Sequence, residues 1–438
     1  YALGHARASG KPAVLICTSG TAVANYLPAV IESSLEQIPM LVLTADRPPE
    51  LQDSGANQAI NQTNIFGNYI RWFFDPGCPN PDFSLEALLS TIDYAIFKTL
   101  HPLSGPVHIN FQFREPFFEN KKISSINHLN QKEVYIRYSS SNNFLPNKEI
   151  KYLLTNRPKF GVLSIGRVPR DSLIYIRKLA KELAWPVFAD ITSGLRLGNN
   201  CPNRITYYDQ ILMNNMTPAI LKIEAIWHIG FPPTSKLWLK CWESKPSNQM
   251  VWIAEHCERH DQSHNFRMRI QMGILDFCKQ ILNELKLKNH SKNFQKNTLE
   301  LLEEDKKIEK ILEKHFCSDN YKKDINDFSL ARKLTEIIPN NHCFFIGNSL
   351  PVRAVDSFGS SRGSDIPTAL NRGASGIDGI IASACGYSSG MKRPLTLLIG
   401  DISAFHDLNS FKLLADSANP IFLILINNHG GGIFSLLP

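Results

Sequence analysis

One stretch, Leu395 to Phe434, constrains this chain more than any other: LTLLIGDISAFHDLNSFKLLADSANPIFLILINNHGGGIF. An apolar run, Leu395 to Ile399, stops at Gly400-Asp401. A second, Ile421 to Ile426, stops at Asn427-Asn428 and three glycines. Both runs are short and rich in Ile and Leu, which predicts two buried parallel strands. Between them Leu408, Phe411, Leu414, Ala415 and Ala418 recur at helical spacing until Pro420 ends the pattern. A helical crossover of this length makes the strands parallel. Asp401 and Asn428 therefore leave at the same carboxyl edge, where open α/β sheets bind ligands.

The residue types at that edge are specific. A carboxylate (Asp401), an amide oxygen (Asn428) and the backbone carbonyl of Gly430 form an all-oxygen set suited to a hard cation such as Mg²⁺. The glycines let backbone come close to a diphosphate. Alone, Gly-Asp reads as a helix N-cap and Asn-Gly as an ordinary turn. The spaced combination at one sheet edge favours a metal-diphosphate site.

The remaining sequence repeats the α/β pattern. Its 438 residues are 43% hydrophobic and 20% charged, enough for two or three domains with real cores. Strands are predicted at Ala13 to Cys17, Met40 to Leu43 and Val107 to Phe111. A second set runs Phe160 to Ser164, Pro186 to Ala189, Ala225 to Ile229 and Met250 to Ala254, and a third opens at Cys343 to Ile346. Residues 119–145 are polar and irregular, as a linker is. Residues 286–325 are rich in Lys, Asn and Glu, with Leu299, Leu302, Ile308, Ile311 and Leu312 on one helical face, and predict a solvated connecting helix.

The net charge of +7 suits anionic ligands, but the basic residues are scattered, without the stripe and interleaved aromatics of a nucleic-acid surface. Nine cysteines at irregular spacings, with no Cys-x-x-Cys, favour a reduced, cytoplasmic protein. No run is long enough for stable membrane insertion. The chain starts at Tyr1 rather than Met and stops just after a strand and turn, so both ends read as cut, and an upstream targeting segment stays open.

Several other groups could carry chemistry. Ser19, Gly20 and Asn25 lie in Thr18-Ser-Gly-Thr-Ala-Val-Ala-Asn25, a helix start whose amides could hold an anion or simply be capped. Arg47 ends a strand before Pro48-Pro49 and suits bidentate capture of a carboxylate, unless it pairs with Asp46 or Glu50. Asn57 and Gln58 add two amides nearby in sequence. Ser349 and Arg353, four apart at a helix start, can point at one ligand group. Arg372 stands in the glycine-dense Asn371 to Gly379, within reach of an ion pair with Asp378. Lys236, after Thr234-Ser235, reads by itself as an exposed surface lysine. His256, His260 and His264 are spaced four apart and would share a face, and could bind zinc, if the segment were helical.

Gly400-Asp401, the helix and Asn427-Asn428 resemble the metal-diphosphate motif of thiamine diphosphate enzymes. Ile402 departs from the usual Gly-Asp-Gly. With Ser403-Ala404, Asp407-Leu408-Asn409 and Asn427 through Gly431 followed by Ile433-Phe434-Ser435-Leu436-Leu437-Pro438, it is similar to one branch, the SEPHCHC synthases of menaquinone biosynthesis. The resemblance implies three doubly wound parallel-sheet α/β domains of the thiamine diphosphate enzyme type, the first and last incomplete. These are a pyrimidine-binding domain (1–118), the linker (119–145), a central domain (146–285), the connecting segment (286–325) and a diphosphate-binding domain (326–438).

The resemblance also implies the roles. Thiamine diphosphate would meet Ser19, Gly20, Asn25, Gly400, Ile402, Ser403, Gly431 and Ile433, with Ile377 as the apolar wedge that bends it. Mg²⁺ or Mn²⁺ would sit on Asp401, Asn428 and Gly430. Arg47, Asn57, Gln58, Lys236, Ser349, Arg353 and Arg372 would contact 2-oxoglutarate, isochorismate or the bound intermediate, and Phe434 with Ile433 and Leu437 would exclude water. At the position after Lys236 the chain has Leu237, where some members have a basic residue. The implied reaction is decarboxylation of 2-oxoglutarate and conjugate addition of a succinyl carbanion equivalent to isochorismate. A dimer or tetramer with sites shared between chains follows from the same likeness. The glutamate that activates the cofactor would lie upstream of Tyr1, and residues 1–438 alone are expected to be inactive. The alternatives are another thiamine diphosphate-dependent 2-oxoacid decarboxylase or carboligase, against which Ile402 and the arginines speak, and a non-catalytic relative of the fold. A nicotinamide dehydrogenase is disfavoured because no Gly-x-Gly-x-x-Gly follows a first strand.

Overall fold

The structure, a computed structural model, describes residues 1–80, 83–115, 134–140, 144–155, 157–198, 201–213, 218–244, 249–287, 296–317 and 325–436. Its strands form three all-parallel sheets. The first contains β1 (Ala13–Cys17), β2 (Met40–Asp46), β3 (Phe73–Gly77) and β4 (Pro106–Gln112), in the order β1-β2-β4-β3. The second contains β5 (Gly161–Ile165), β6 (Val187–Ala189), β7 (Ala225–Ile229), β8 (Met250–Ala254) and β9 (Met268–Gln271), in the order β6-β5-β7-β8-β9. The third contains β10 (Cys343–Ile346), β11 (Thr368–Ala369), β12 (Leu395–Gly400) and β13 (Ile421–Ile426), in the order β11-β10-β12-β13. Every predicted strand is present. The additional strands β3, β9 and β11 all lie at sheet edges. There a Pro-Gly end, a half-exposed alternation or a length of two residues leaves little apolar signal.

Contacts divide the chain into two compact units. The first comprises Tyr1–Ser141, Asn371–Leu395 and Ile402–Phe422. In it the first sheet packs on one face through Val23, Val30, Met40, Val42 and Phe66, and on the other through Leu41, Ala95, Val107 and Ile109. Helices Ala2–Ser9 and Ile380–Met391 approach backbone to backbone, since a Cβ on Gly4 would lie 1.8 Å from the Ser383 carbonyl oxygen. The second unit comprises Asn142–Leu370, Thr396–Asp401 and Leu423–Pro438. Alternate residues of its second sheet feed two cores, one with Leu163, Ile165, Trp227 and Ile253, the other with Val162, Ile226, Trp238 and Trp252.

Three expectations need correction. The crossover after β12 is not one helix: it breaks into Asp401–His406, a 3₁₀ turn at Leu408–Ser410 and Phe411–Ala415. The break falls at Asp407, whose carboxylate accepts the Ile381 and Ala382 amides at 2.8 and 3.2 Å and the Ser410 hydroxyl at 2.6 Å. It caps another helix instead of continuing its own. Leu408 and Phe411 are consequently exposed. Second, β12 is buried but β13 is not, with Phe422 and Leu425 55% and 43% exposed. An apolar run does not distinguish a central strand from an edge strand, and β13 is an edge. Third, the helix Lys296–Cys317 is more than a solvated connector. Leu301 enters the second core, while Leu299 and Ile311 point outward. Most of the 119–145 linker lies outside the described residues.

Candidate functional site

Parallel β12 and β13 are neighbours in the third sheet, so Asp401 and the Asn428 turn emerge side by side, strand spacing being about 4.8 Å. Beyond β13 the backbone turns through three successive left-handed residues, His429 (φ 61°), Gly430 (φ 88°) and Gly431 (φ 66°). The His429 amide closes the turn onto the Asn427 side chain at 3.1 Å. Two features leave room for a ligand. A Cβ on Gly400 would meet nothing within 4 Å. At Gly432 a Cβ would come within 2.8 Å of Asn428 Nδ2, so only glycine leaves that amide its place. One carboxylate, one amide oxygen and a carbonyl exposed by a glycine turn fit a hard divalent cation bridging to phosphate. Among the described residues no cluster of three or more His, Cys, Asp or Glu offers a competing metal site. Ser403 is buried and Ile402 is exposed. Of the residues expected to form an apolar wall, Phe434 is 71% exposed and tethered through its amide to the Gly431 carbonyl at 2.9 Å, Ile433 is half-buried, and Leu437 lies outside the described residues.

Ser349 caps the helix Leu350–Phe358 with φ 70° and ψ −129°, a conformation normally left to glycine. Such strain costs about 1–3 kcal/mol and clusters at functional sites. Arg353 Nη1 donates to the backbone carbonyl of Ser349 at 2.6 Å.

At the carboxyl end of the first sheet, Arg47 Nε donates to the Asn57 carbonyl at 3.1 Å, which brings the Arg47 and Asn57-Gln58 loops together. The competing ion pairs do not form. Glu50 is held by Arg114 at 2.6 and 2.9 Å, and Asp46 accepts the Arg47 amide and the Asn110 side chain. Asn57 and Gln58 are exposed, Gln58 with φ 56°. The Gly20 amide, expected to be open to an anion, is already taken by Gln62 Oε1 at 2.8 Å. The helix it opens, Thr21–Ala24, is a single turn; Ser19 is buried and Asn25 exposed.

Gln62 belongs to a buried network that the sequence reading missed. Its amide donates to the Ala45 carbonyl at 3.0 Å and to Asn110 Oδ1 at 2.8 Å. Asn110 Oδ1 also takes the Thr44 hydroxyl proton at 2.7 Å, so His108 Nε2, 2.7 Å from Thr44 Oγ1, must be the donor there. Burial lowers the His108 pKa to about 4, keeping the ring neutral. The available signal was polar residues inside the apolar strands β2 and β4.

The Arg372 loop is latched from below. Glu32, 6% exposed, accepts the Gly373 and Ala374 amides at 2.9 and 2.7 Å. Burial, then the neighbouring Glu36 carboxylate, raises its pKa, while the two amides oppose the shift. No Arg372–Asp378 ion pair forms among the described residues, and Ile377 is half-buried beside them. Lys236 is exposed at the first position of the helix Lys236–Ser244; its neighbours Thr234 and Ser235 are buried. The histidine trio does not form a metal site. The segment after β8 is irregular, the His256 and His260 rings lie 4.7 Å apart and tilted by 56°, and His264 turns away to Arg259 at 3.2 Å.

Comparison with known proteins matches residues 1–65 to the thiamine pyrophosphate enzyme N-terminal TPP binding domain and residues 123–346 to the middle domain of thiamine pyrophosphate enzymes. Three similar relatives all carry the name 2-succinyl-5-enolpyruvyl-6-hydroxy-3-cyclohexene-1-carboxylate synthase. That of Chlorobium phaeobacteroides is 39% identical over 451 residues, that of Rubrobacter xylanophilus 37% over 444 and that of Prosthecochloris aestuarii 38% over 453. Each alignment covers 100% of this chain and 75% of the relative. The chain belongs to the 2-succinyl-5-enolpyruvyl-6-hydroxy-3-cyclohexene-1-carboxylate (SEPHCHC) synthase family of thiamine diphosphate enzymes.

Proposed function

We propose that the activity these residues serve is decarboxylation of 2-oxoglutarate and addition of the remaining succinyl unit to isochorismate, a step of menaquinone or phylloquinone biosynthesis. Family membership supports this reading. The observation that carries it is the edge of β12 and β13, with Asp401, the left-handed turn at Gly430-Gly431 and the space beside Gly400. Bound thiamine diphosphate supplies the carbon nucleophile and the electron sink for loss of CO₂. Asp401, Asn428 and the Gly430 carbonyl hold Mg²⁺ or Mn²⁺. Gly400, Ile402, Ser403, Gly431, Ile433, Ser19, Gly20 and Asn25 line the cofactor, and Ile377 presses on it without offering a hydrogen bond.

The substrates are polyanions, and the chain's cations meet that chemistry. Arg47, with Asn57 and Gln58, and Lys236, Arg353 and Arg372, with Ser349, bind their carboxylates. Fixed positive charge stabilises anions brought together for reaction. Phe434 shields the reacting carbon from water. The three-domain division at residues 1–118, 146–285 and 326–438, a cytoplasmic location, and self-association as a dimer or tetramer with shared sites are parts of the same proposal. No helix among the described residues is long and apolar enough to cross a membrane.

Titration calorimetry of the full-length protein with thiamine diphosphate and Mg²⁺ tests the cofactor site. Asp401→Ala is expected to weaken binding at least tenfold, about 1.4 kcal/mol. Equal affinity would sink the metal assignment. Turnover of 2-oxoglutarate that ignores isochorismate would instead indicate a simple decarboxylase.

A further inference from the structure

We propose that Asp209 is a positioning residue that sets the register between the two elements carrying Lys236 and Arg353. This rests on the reading of those side chains as carboxylate-binding groups. Asp209, 7% exposed on the helix Tyr208–Met213, spends each carboxylate oxygen on a serine of a different element. Oδ1 accepts the hydroxyl of Ser235, which in turn accepts the Trp238 amide at 3.0 Å and so caps the helix that begins at Lys236. Oδ2 accepts the hydroxyl of Ser357 at 2.7 Å, one turn after Arg353 on the helix Leu350–Phe358. The adjacent Gln210 donates to the Ser357 carbonyl at 2.8 Å, so residues 209 and 210 grip Ser357 from two sides.

The path from Lys236 to Arg353 therefore runs through Ser235, one carboxylate and Ser357. No other side chain among the described residues is shown joining those two serines. A hydroxyl carries one proton, and both serines give theirs to Asp209. Removing the carboxylate leaves the buried Ser235 hydroxyl and the half-buried Ser357 hydroxyl without that acceptor. The elements would still be held. Asp190 Oδ2 accepts the Thr234 amide at 2.5 Å, Asp356 Oδ1 accepts the Ile191 amide at 2.8 Å, and Arg196 donates to the Asp356 and Gly359 carbonyls at 2.8 and 3.0 Å. Loss of Asp209 is thus expected to loosen the spacing of two substrate cations rather than to unfold the unit. Displacing a positioning contact by about 1 Å is enough to cost up to a hundredfold.

The test measures isochorismate binding by calorimetry on the full-length protein, without 2-oxoglutarate. Asp209→Ala is expected to weaken isochorismate about tenfold or more while thiamine diphosphate with Mg²⁺ binds within about twofold of wild type. Asp209→Asn should retain affinity within about threefold, because its amide can accept from one serine and donate to the oxygen of the other. Combining Asp209→Ala with Lys236→Ala should add less than the sum of the single effects. A lower melting temperature with unchanged isochorismate affinity, or full additivity, would overturn the proposal. Lys236→Ala and Arg353→Ala judge the underlying reading separately. If neither changes affinity, that reading fails, and hydrogen exchange decides for Asp209: amides 236–244 and 350–358 must lose protection together in Asp209→Ala, and independent behaviour refutes the coupling.

Discussion

Gly432→Ala isolates the metal-diphosphate site from the fold around it. A methyl at this position would lie 2.8 Å from Asn428 Nδ2, 3.3 Å from its Cγ and 3.4 Å from Leu350 Cδ1. The closest of these is about 0.6 Å inside an ordinary contact, so something must move, and the exposed Asn428 amide is the softer partner. Gly432 opens the 3₁₀ turn Gly432–Leu436 and is not among the left-handed residues, so alanine adds no backbone strain. Relative to glycine it should be neutral or favour folding by up to about 1 kcal/mol. The effects on stability and on binding then have opposite signs. Moving one ligand of a metal by about half an ångström should weaken the site roughly tenfold, near 1.4 kcal/mol. Thermal unfolding and calorimetry with thiamine diphosphate and Mg²⁺, on the same full-length preparation, read both quantities. Gly400→Ala is a companion, since its methyl meets only open space in the chain, and weaker binding there would report the ligand itself. Undiminished affinity in Gly432→Ala with a normal melting temperature would refute the place given to Asn428.

Three further outcomes are expected. Ser349→Gly relieves the strained cap and should stabilise the protein by about 1 kcal/mol while raising KM for the substrates; a gain in stability with unchanged KM would leave Ser349 without a binding role. Gln62→Ala strips partners from the Gly20 amide and from Asn110, and should cost about 2–4 kcal/mol in urea unfolding; a loss below 1 kcal/mol would mean the network reorganises. Burial raises the Asp305 carboxyl from 3.8 to about 6, against the Tyr207 amide that favours its charged form. A raised carboxyl supports the fold most fully below pH 4, and that support is lost as pH rises through 6. Asp305→Asn should therefore flatten the stability profile between pH 4 and 7 and gain at most about 3 kcal/mol at pH 8; an unchanged profile would contradict the burial effect.

The sheet cores were legible in the chain because parallel strands buried on both faces read as continuous apolar runs, as β7, β8 and β10 show. The edge strands β3 and β9 were not, because they bury too little to leave a pattern. The Asp401–Asn428 edge could be located because its two halves stand at the ends of such runs. The crossover was misread for a local reason: Asp407 satisfies the end of a distant helix, and only tertiary structure shows where its carboxylate goes. Glu32, Gln62 and Asp209 escaped notice for a shared reason. Each acts on partners far away in sequence, and a lone Glu, Gln or Asp carries no spacing that points to them.

The Glu32 latch has an evolutionary consequence. It reads main-chain amides and is therefore blind to the side chains of the loop it holds. Space pins the glycines instead: a methyl on Gly373 would lie 2.8 Å from Leu35 Cβ, and one on Gly376 2.3 Å from Asp378 Oδ1. Ala374 is exposed and can be exchanged without disturbing the anchor. A loop fastened by its backbone can thus drift in sequence, and so explore new ligand preferences, while Arg372 and Ile377 keep their places.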